Sequence, residues 1–310
     1  MPSMTSLKRV LTGFAADRLH ESRRSNELLR QQNKLLEEQT AELKKVLVSL
    51  EKEAKRTREA ADNIRAISMA PIRRELFEVI QSKQLGFMES VYALRDDRRS
   101  LARFGDGEFR LMYRREHALK FQRNSPELMD ALCKVLTDHS ENTIIGMPQI
   151  FMGLHWSNVF AETWHFISPL AATQDQFINS HITRPIFFEQ YGQDAVDAWR
   201  SVWEGRDAAV VTGKGSRFDL VPALFDNLSS VQEIFSTPTN AFSDLDRLVQ
   251  EIEASGKDMA LLSLGPAATV AADMLAAKGI QALDIGHLSS SYEYVLTGAA
   301  LPEHVPPIRS

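Results

Sequence analysis

Between residues 18 and 66 the chain contains no Gly and no Pro, and leucine returns at every seventh position: Leu29, Leu36, Leu43 and Leu50. Placing these at d puts Asn26, Asn33, Thr40, Leu47, Ala54 and Ala61 at a, with Ile64 back at d after Thr57. Such a heptad seam predicts a coiled coil of modest strength, because its a positions are mostly polar or small. Asn33 at a central a position favours a parallel homodimer through residues 18–66, in which two amides meet across the axis. The competing arrangement is a single amphipathic helix folded back on the rest of the chain, supported by the flanking Leu28, Leu35 and Val46. Residues 1–17 form a separate N-terminal segment. Pro71 marks the exit from the helix, and residues 67–94 read as a helical neck containing Gly86.

From residue 95 to 310 the pattern changes. Short apolar runs occur at Ser100–Phe104, Thr143–Met147, Ala208–Val211, Val231–Phe235, Met259–Leu264 and Ile280–Ile285. Helical periodicity fills 125–140, 189–204, 243–255 and 267–278. Strands alternating with helices predict an α/β, Rossmann-like domain with a largely parallel sheet and flanking helices. The clearest crossover is the strand MALLSLG, the turn Gly265-Pro266, a helix, and the strand IQALDIG.

Composition narrows the class. The 310 residues are 44% hydrophobic and 25% charged, which excludes a disordered or fibrous chain. Cys133 is the sole cysteine, so there is no intrachain disulfide or cysteine-rich zinc site, and a reducing compartment is expected. The start lacks the apolar stretch of a signal peptide and no run reaches membrane-spanning length, so the expectation is a cytoplasmic protein. Residues 1–66 hold 14 Lys+Arg against 10 Asp+Glu, a charge of +4, which leaves −9 on the remainder. An acidic body argues against a nucleic-acid partner. The basic arm could favour peripheral association with the inner face of an anionic membrane, although its mixed signs favour a solvated helix.

Candidate chemistry gathers at strand ends, where open parallel sheets bind ligands. In Arg103-Phe-Gly-Asp-Gly-Glu-Phe109, an extended backbone would point Asp106 and Glu108 to the same side. Two hard oxygen ligands there suit Mn²⁺ or Mg²⁺, and Gly105 keeps the loop open. Val210-Val-Thr-Gly-Lys-Gly-Ser-Arg217 offers backbone N–H groups, Lys214 and Arg217 to a diphosphate, without Walker spacing. After Ser263-Leu-Gly265, Pro266 suits a first helical turn whose free N–H groups could meet an anion. Asp284, His287 and Glu293, in the segment from Asp284 to Tyr294, are candidate acid/base groups. His155, His165 and His181 lack ligand spacing and read as structural.

Together, Arg103-Phe-Gly-Asp-Gly-Glu-Phe109, Phe121-Gln122, Asn240-Ala-Phe242, Leu264-Gly-Pro-Ala-Ala-Thr269 and Leu283-Asp-Ile-Gly-His287 with Tyr292-Glu293 resemble, in this order, the GT-D-type glycosyltransferases. That family was first catalogued as a domain of unknown function. The resemblance covers roughly 95–300 and leaves out the heptads. It implies a nucleotide-sugar donor of the UDP-sugar class, such as UDP-glucose, a glycan or glycoconjugate acceptor, and an Asp-x-Glu metal motif at Asp106 and Glu108. It also implies that the Gly265-Pro266 turn and the Asp284-Ile-Gly-His287 segment border the donor pocket; with the residues read above, the expected donor-binding set is Arg103, Gly105, Gln122, Lys214, Arg217, Asn240, Gly265, Pro266 and Thr269. Val211-Thr-Gly-Lys214 and Gly265-Pro-Ala-Ala268 depart from the family's usual segments. Two other functions compete: a metal-dependent nucleotide-sugar diphosphate hydrolase, and a non-catalytic coiled-coil scaffold.

Overall fold

A computed structural model of the chain describes residues 4–151 and 153–304. The outermost parts of the expected terminal segments, residues 1–3 and 305–310, lie outside the described residues. The chain divides into two compact units, the first ending at Ile67 and the second beginning at Ser68.

The first unit is helical, within α1 (Met4–Val79). Its leucines, from Leu28 to Leu50, are all exposed. Thr40 and Thr57 donate back to the carbonyls of Leu36 and Glu53, so the helix satisfies its own mid-helix hydroxyls. The pairs Lys34–Glu38 and Lys55–Glu59 lie one turn apart at 4.0 Å, a geometry that supports a solvated helix only weakly.

Pro71 does not end the helix, contrary to expectation. Proline cannot donate to the carbonyl four residues earlier and normally breaks or kinks a helix. Here Met69, Leu76 and Ile80 recur on one face and are sealed in the core of the second unit. That burial outweighs the missing hydrogen bond. The stretch read as a neck is therefore packed into the body, together with α2 (Phe87–Asp96), which buries Phe87, Val91 and Leu94.

The second unit is a seven-stranded sheet, all parallel, in the order β3-β2-β1-β7-β6-β4-β5. Its first half comprises β1 (Ser100–Arg103), α3 (Asp106–Tyr113), α4 (Pro126–Thr137), β2 (Thr143–Met147), α5 (Leu154–Ala171), β3 (Ile178–Asn179), α6 (Pro185–Tyr191) and α7 (Gln193–Trp203). The second half comprises β4 (Asp207–Gly213), α8 (Pro222–Phe225), β5 (Ser230–Ser236), α9 (Leu245–Ala254), β6 (Met259–Ser263), α10 (Pro266–Ala276), β7 (Gln281–Asp284) and α11 (Leu288–Tyr292). The single helix expected over 189–204 is interrupted by Gly192, at φ +52°, and becomes α6 and α7.

Both faces of the sheet are covered, and strand alternation divides the core accordingly. Leu101, Ile144 and Leu261 enter one cluster with α2, α6 and α7. Their neighbours Ala102, Ile145 and Leu262 enter the other, with α3, α4, α5 and α10. From β1 the chain builds outward through β2 and β3, crosses to β4 and β5, and returns with β6 and β7 to lie beside β1. After β1 the chain passes to α3 on one face of the sheet and after β7 to α11 on the other, so the β1/β7 junction is a switch point where a crevice opens.

Candidate active site

A cavity of about 560 Å³ opens at that crevice. Its wall comes from the carboxyl ends of β1, β4, β6 and β7, and from the segments after β3 and β5. Of the residues expected at a site, Arg103, Gly105, Asp106, Glu108, Arg217, Gly265, Pro266 and His287 line it. Gln122, Lys214, Asn240, Thr269, Asp284 and Glu293 do not, although several support those that do.

The Asp-Gly-Glu segment is helical, not extended. Gly105 is the N-cap of α3, which places Asp106 and Glu108 in its first turn. Acidic residues there complement the helix dipole, and Glu108 Oε2 accepts from the Gly105 N–H at 2.9 Å. Residues two apart on a helix diverge by about 200°. Asp106 therefore meets Arg110 at 3.6 Å and His155 Nε2 at 3.2 Å, while Glu108 turns inward. Burial pushes the Glu108 carboxyl up to about 7, with Asp284 and Asp106 adding to the rise against Arg103.

Beside α3 lies a cationic wall. Arg103 donates to the Asp284 carbonyl at 2.7 Å, to Asp284 Oδ1 at 2.8 Å, and to Thr183 Oγ1 at 2.7 Å. Asp284 is itself buried, and burial raises its pKa against the opposing pull of Arg103. Gly286, at φ +44°, is needed for this approach: a Cβ there would lie 2.0 Å from Arg103 Nη2. Arg217 donates to His287 Nδ1 at 2.9 Å. Burial, reinforced by Arg184, Arg217 and Arg103, holds His287 well below its ordinary pKa, so its imidazole is neutral. The same Arg217 Nη2 lies 3.4 Å from His287 Nε2, so the neutral ring serves as the acceptor that orients the guanidinium at the cavity wall.

Opposite, Gly265 sits at φ +59° directly before α10, with Pro266 in the first helical turn. Phe121 lies against it, so close that a Cβ on Gly265 would meet the ring at 2.4 Å. Gln122 and Asn240 hold that ring in place. The Phe121 carbonyl accepts from the Asn240 N–H at 2.7 Å, and Asn240 Oδ1 accepts from the Arg123 N–H at 2.8 Å. Gln122 Oε1 accepts from the Phe242 N–H at 3.3 Å. Thr269 Oγ1 donates to the Arg103 carbonyl at 2.8 Å, pinning the end of β1 to α10. Lys214 is exposed, and its N–H is taken by the Ser236 carbonyl at 2.9 Å, so this turn does not form an anion nest. Glu293 follows α11, away from the lining.

The residue pattern gave no sign of three further contributors: Arg184, His181 and Trp156. Arg184 and His181 follow β3, whose two residues are too few to register as a strand. His181, read as structural, accepts from the Gln149 N–H at 3.1 Å and is pushed down to about 3 by burial, so it too is neutral. Trp156 and His155 belong to α5, whose aromatic-rich sequence still carries a helical signal in Phe160, Thr163, Trp164 and Ile167.

The family model for the glycosyltransferase GT-D fold matches residues 101–306, well over half of the chain. The chain belongs to the GT-D glycosyltransferase family. Glycosyltransferase GlyD of Streptococcus pneumoniae is 30% identical over 236 residues, 72% of this chain and 28% of its own length. A probable glycosyl transferase, Gly, of Streptococcus gordonii is 30% identical over 233 residues, 71% of this chain and 34% of its own. The chain thus spans about a third or less of these curated relatives. The solved structure of domain of unknown function 1792, described as a distinct glycosyltransferase fold, superposes with a TM-score of 0.65 at 26% identity, covering 74% of this chain and 86% of that one. A DUF1792 glycosyltransferase from Streptococcus sanguinis gives 0.63 at 26% identity, over 73% and 93%.

Within this GT-D domain no cluster of three or more His, Cys, Asp or Glu side chains able to hold a metal occurs among the described residues. Two carboxyls, Asp106 and Glu108, do line the cavity. On α3 the two diverge, Asp106 towards Arg110 and His155 and Glu108 inward, so they do not present a convergent pair; either carboxylate, completed by substrate phosphates and water, would suit an ion of the Mg²⁺ kind. They do not fit a closed structural site. No helix among the described residues is long and apolar enough to cross a membrane.

Proposed function

We propose that this GT-D chain transfers a sugar from a nucleoside-diphosphate sugar, of the UDP-sugar class, to a hydroxyl of a glycan or glycoconjugate. The observation that carries this reading is the convergence on one cavity of Arg103, Arg217, His287, the Gly265-Pro266 helix start and the Asp106/Glu108 turn. Guanidiniums, a helix N-terminus and carboxylates able to hold a cation suit a diphosphate, while Phe121 and Pro266 offer the apolar wall a nucleobase needs.

Asp106 and Glu108 would hold Mn²⁺ or Mg²⁺, which when bound supplies positive charge to the departing phosphate. Arg217, oriented by His287, donates to the same developing charge, a stabilisation greatest where charge grows in the transition state. Asp284 fixes the Arg103 guanidinium in its fork. Glu108 would act as a ligand in its ionised form, which a bound cation would favour against the burial that raises its pKa.

The arm contributes assembly: its exposed leucine seam pairs with a second copy as a parallel homodimer. Its excess of basic residues permits contact with an anionic membrane surface.

A panel of nucleotide sugars, with and without Mn²⁺, tests the activity. One donor should raise the melting temperature and be consumed faster once an acceptor glycan is present. Full consumption without acceptor would instead identify a diphosphate hydrolase, and no metal-dependent binding of any donor would favour a scaffold.

A further inference from the structure

The chain has four tryptophans, and three of them are sealed in the body. Each of those three gives its indole N–H to the protein: Trp164 to Glu75 at 3.0 Å, Trp199 to the Ile182 carbonyl at 2.9 Å, and Trp203 to the Leu224 carbonyl at 2.9 Å. Trp156 differs. It is half-buried, it lines the cavity, and its N–H has no hydrogen-bond partner among the described residues. His181 stands beside it, with ring centroids 5.7 Å apart, and lines the same wall at only 9% exposure. Its Nδ1 accepts from the Gln149 N–H at 3.1 Å, so the ring proton sits on Nε2. That second donor, too, has no partner among the described residues. Buried donors are costly to leave unpaired and normally find a partner. The indole is held in place by other rings, Phe160 at 5.4 Å and Phe151 at 6.5 Å between centroids.

An aromatic side chain with two uncharged donors beside it suits a sugar. A pyranose ring offers an apolar C–H face to an indole, and its hydroxyl oxygens accept from N–H groups. Position separates this wall from the one proposed for the diphosphate. Arg103, Arg217, Gly265 and His287 follow β1, β4, β6 and β7, whereas Trp156 and His181 follow β2 and β3, on the other side of β1. The Trp156 wall also reaches the surface: at the start of α5, Leu154 is 61% exposed and the His155 side chain 58%. A glycan has to enter from solvent, while a donor's sugar arrives fixed to its diphosphate. We propose that Trp156 and His181 form the acceptor subsite, where the indole covers one face of a neutral sugar ring and the Trp156 and His181 N–H groups donate to its hydroxyls. This deepens the sugar-transfer reading of the cavity and rests on it.

The test applies the full chain to a printed array of neutral mono- and oligosaccharides, with no donor present. Wild type should bind at least one of them. Trp156→Leu should bind that glycan at least about tenfold more weakly, the loss expected when an aromatic contact and a hydrogen bond go together. Trp156→Phe, which keeps a ring and loses the N–H, should fall between the two. A second measurement needs no variant. Trp156 is the one tryptophan of the four that is not buried, so the emission open to acrylamide is its own, and the bound glycan should shield it. Wild type that binds no glycan on the array, W156L that binds as wild type does, or unchanged quenching with glycan bound would each overturn the proposal. So would W156L losing UDP-glucose as strongly as it loses the glycan, since the indole would then hold the donor's sugar. Array binding needs no turnover. A chain that holds a neutral glycan at Trp156 yet transfers no sugar would defeat the proposed activity and leave this site standing. Transfer by W156L at unchanged acceptor affinity would do the reverse.

Discussion

Leu43 and Leu262 are the same residue type in one chain, yet the first is 68% exposed and the second fully buried. The contrast extends to the whole of each region. In the body, from Ser68 on, apolar residues alternate along strands and recur along helices so that two clusters close over both sheet faces. In the arm, the apolar positions are as regular, but the stripe they draw has no cover within its own unit. A regular pattern therefore identifies a buried surface without identifying what buries it. The body's pattern is answered by the same chain, whereas the arm's leucines stand exposed among the described residues. Chemistry follows the same division, since the cavity and its charged wall belong wholly to the body.

The largest effect expected from breaking the body alone is on turnover. Asp106→Asn and Glu108→Gln preserve side-chain shape and remove ligand charge. Each should cut turnover by about a hundredfold to a thousandfold, the scale of losing one principal transition-state stabiliser. Circular dichroism should show both helical arm and body unchanged. Turnover at the wild-type rate in strong chelator would remove the cation from the mechanism.

Next in size is the pH dependence of the body's stability. Glu108 has its folded pKa raised to about 7. Its contribution to stability is complete below the unfolded value of 4.5, is lost as pH rises through about 7, and spans at most about 3 kcal/mol. His181 acts with the opposite sign. Its folded pKa is depressed to about 3, so stability falls as pH drops below 6.5, where the unfolded chain takes up a proton that the native state refuses. E108Q should flatten the decline between pH 5 and 7.5 in urea melts and leave the acid-side decline intact. An unchanged slope above pH 5 would mean that Glu108 is ionised in the native state.

How far the site could be read from sequence depends on what each residue's neighbours add. Six of the seven strands were legible as short apolar runs such as Met259–Ser263, and β3 was not because two residues carry no period. Arg103, Gly265 and His287 were legible as residues at strand ends. The Asp-Gly-Glu turn was misjudged because the same acids suit an extended loop and a helix start, and the Gly105 N–H decides between them. Gln122 and Asn240, expected to border the donor pocket, do not line the cavity; their hydrogen bonds hold Phe121, which does. Arg184 was invisible because it joins the cavity wall only in the fold, from a segment far along the chain from Arg103 and Arg217.

A smaller effect, confined to one wall of the cavity, is expected at Gly265. Valine there must adopt a left-handed φ of +59° and place its Cβ 2.4 Å from Phe121. Displacing the ring closes the approach to the α10 N-terminus, so G265V should weaken nucleotide-sugar binding about tenfold or more. Phe121→Ala should restore part of that loss in the double variant, because it removes the group that is struck. Donor affinity in G265V equal to wild type would place the donor elsewhere in the cavity.

The smallest effect on catalysis should come from the largest deletion. Removing residues 1–66 leaves a unit that begins at Ser68 with both hydrophobic clusters intact, including the buried Met69, Leu76 and Ile80. Turnover on a soluble acceptor should change less than about twofold, since no residue of the arm lines the cavity. Assembly should change completely. The seam from Leu29 to Leu50 is about 32 Å long at 1.5 Å per residue, and covering each leucine is worth roughly 1.5–3 kcal/mol. A second copy offers the same stripe in register, and Asn33 at a inner position favours the parallel pair. Light scattering should give a dimer for the full chain and a monomer for the truncated one. Leu36→Lys with Leu43→Lys should reproduce the monomer without any deletion, by placing like charges across the seam. If the full chain is monomeric at micromolar concentration, the arm's leucines are answered by a different protein, and the contrast between the two regions becomes one between catalysis and recruitment.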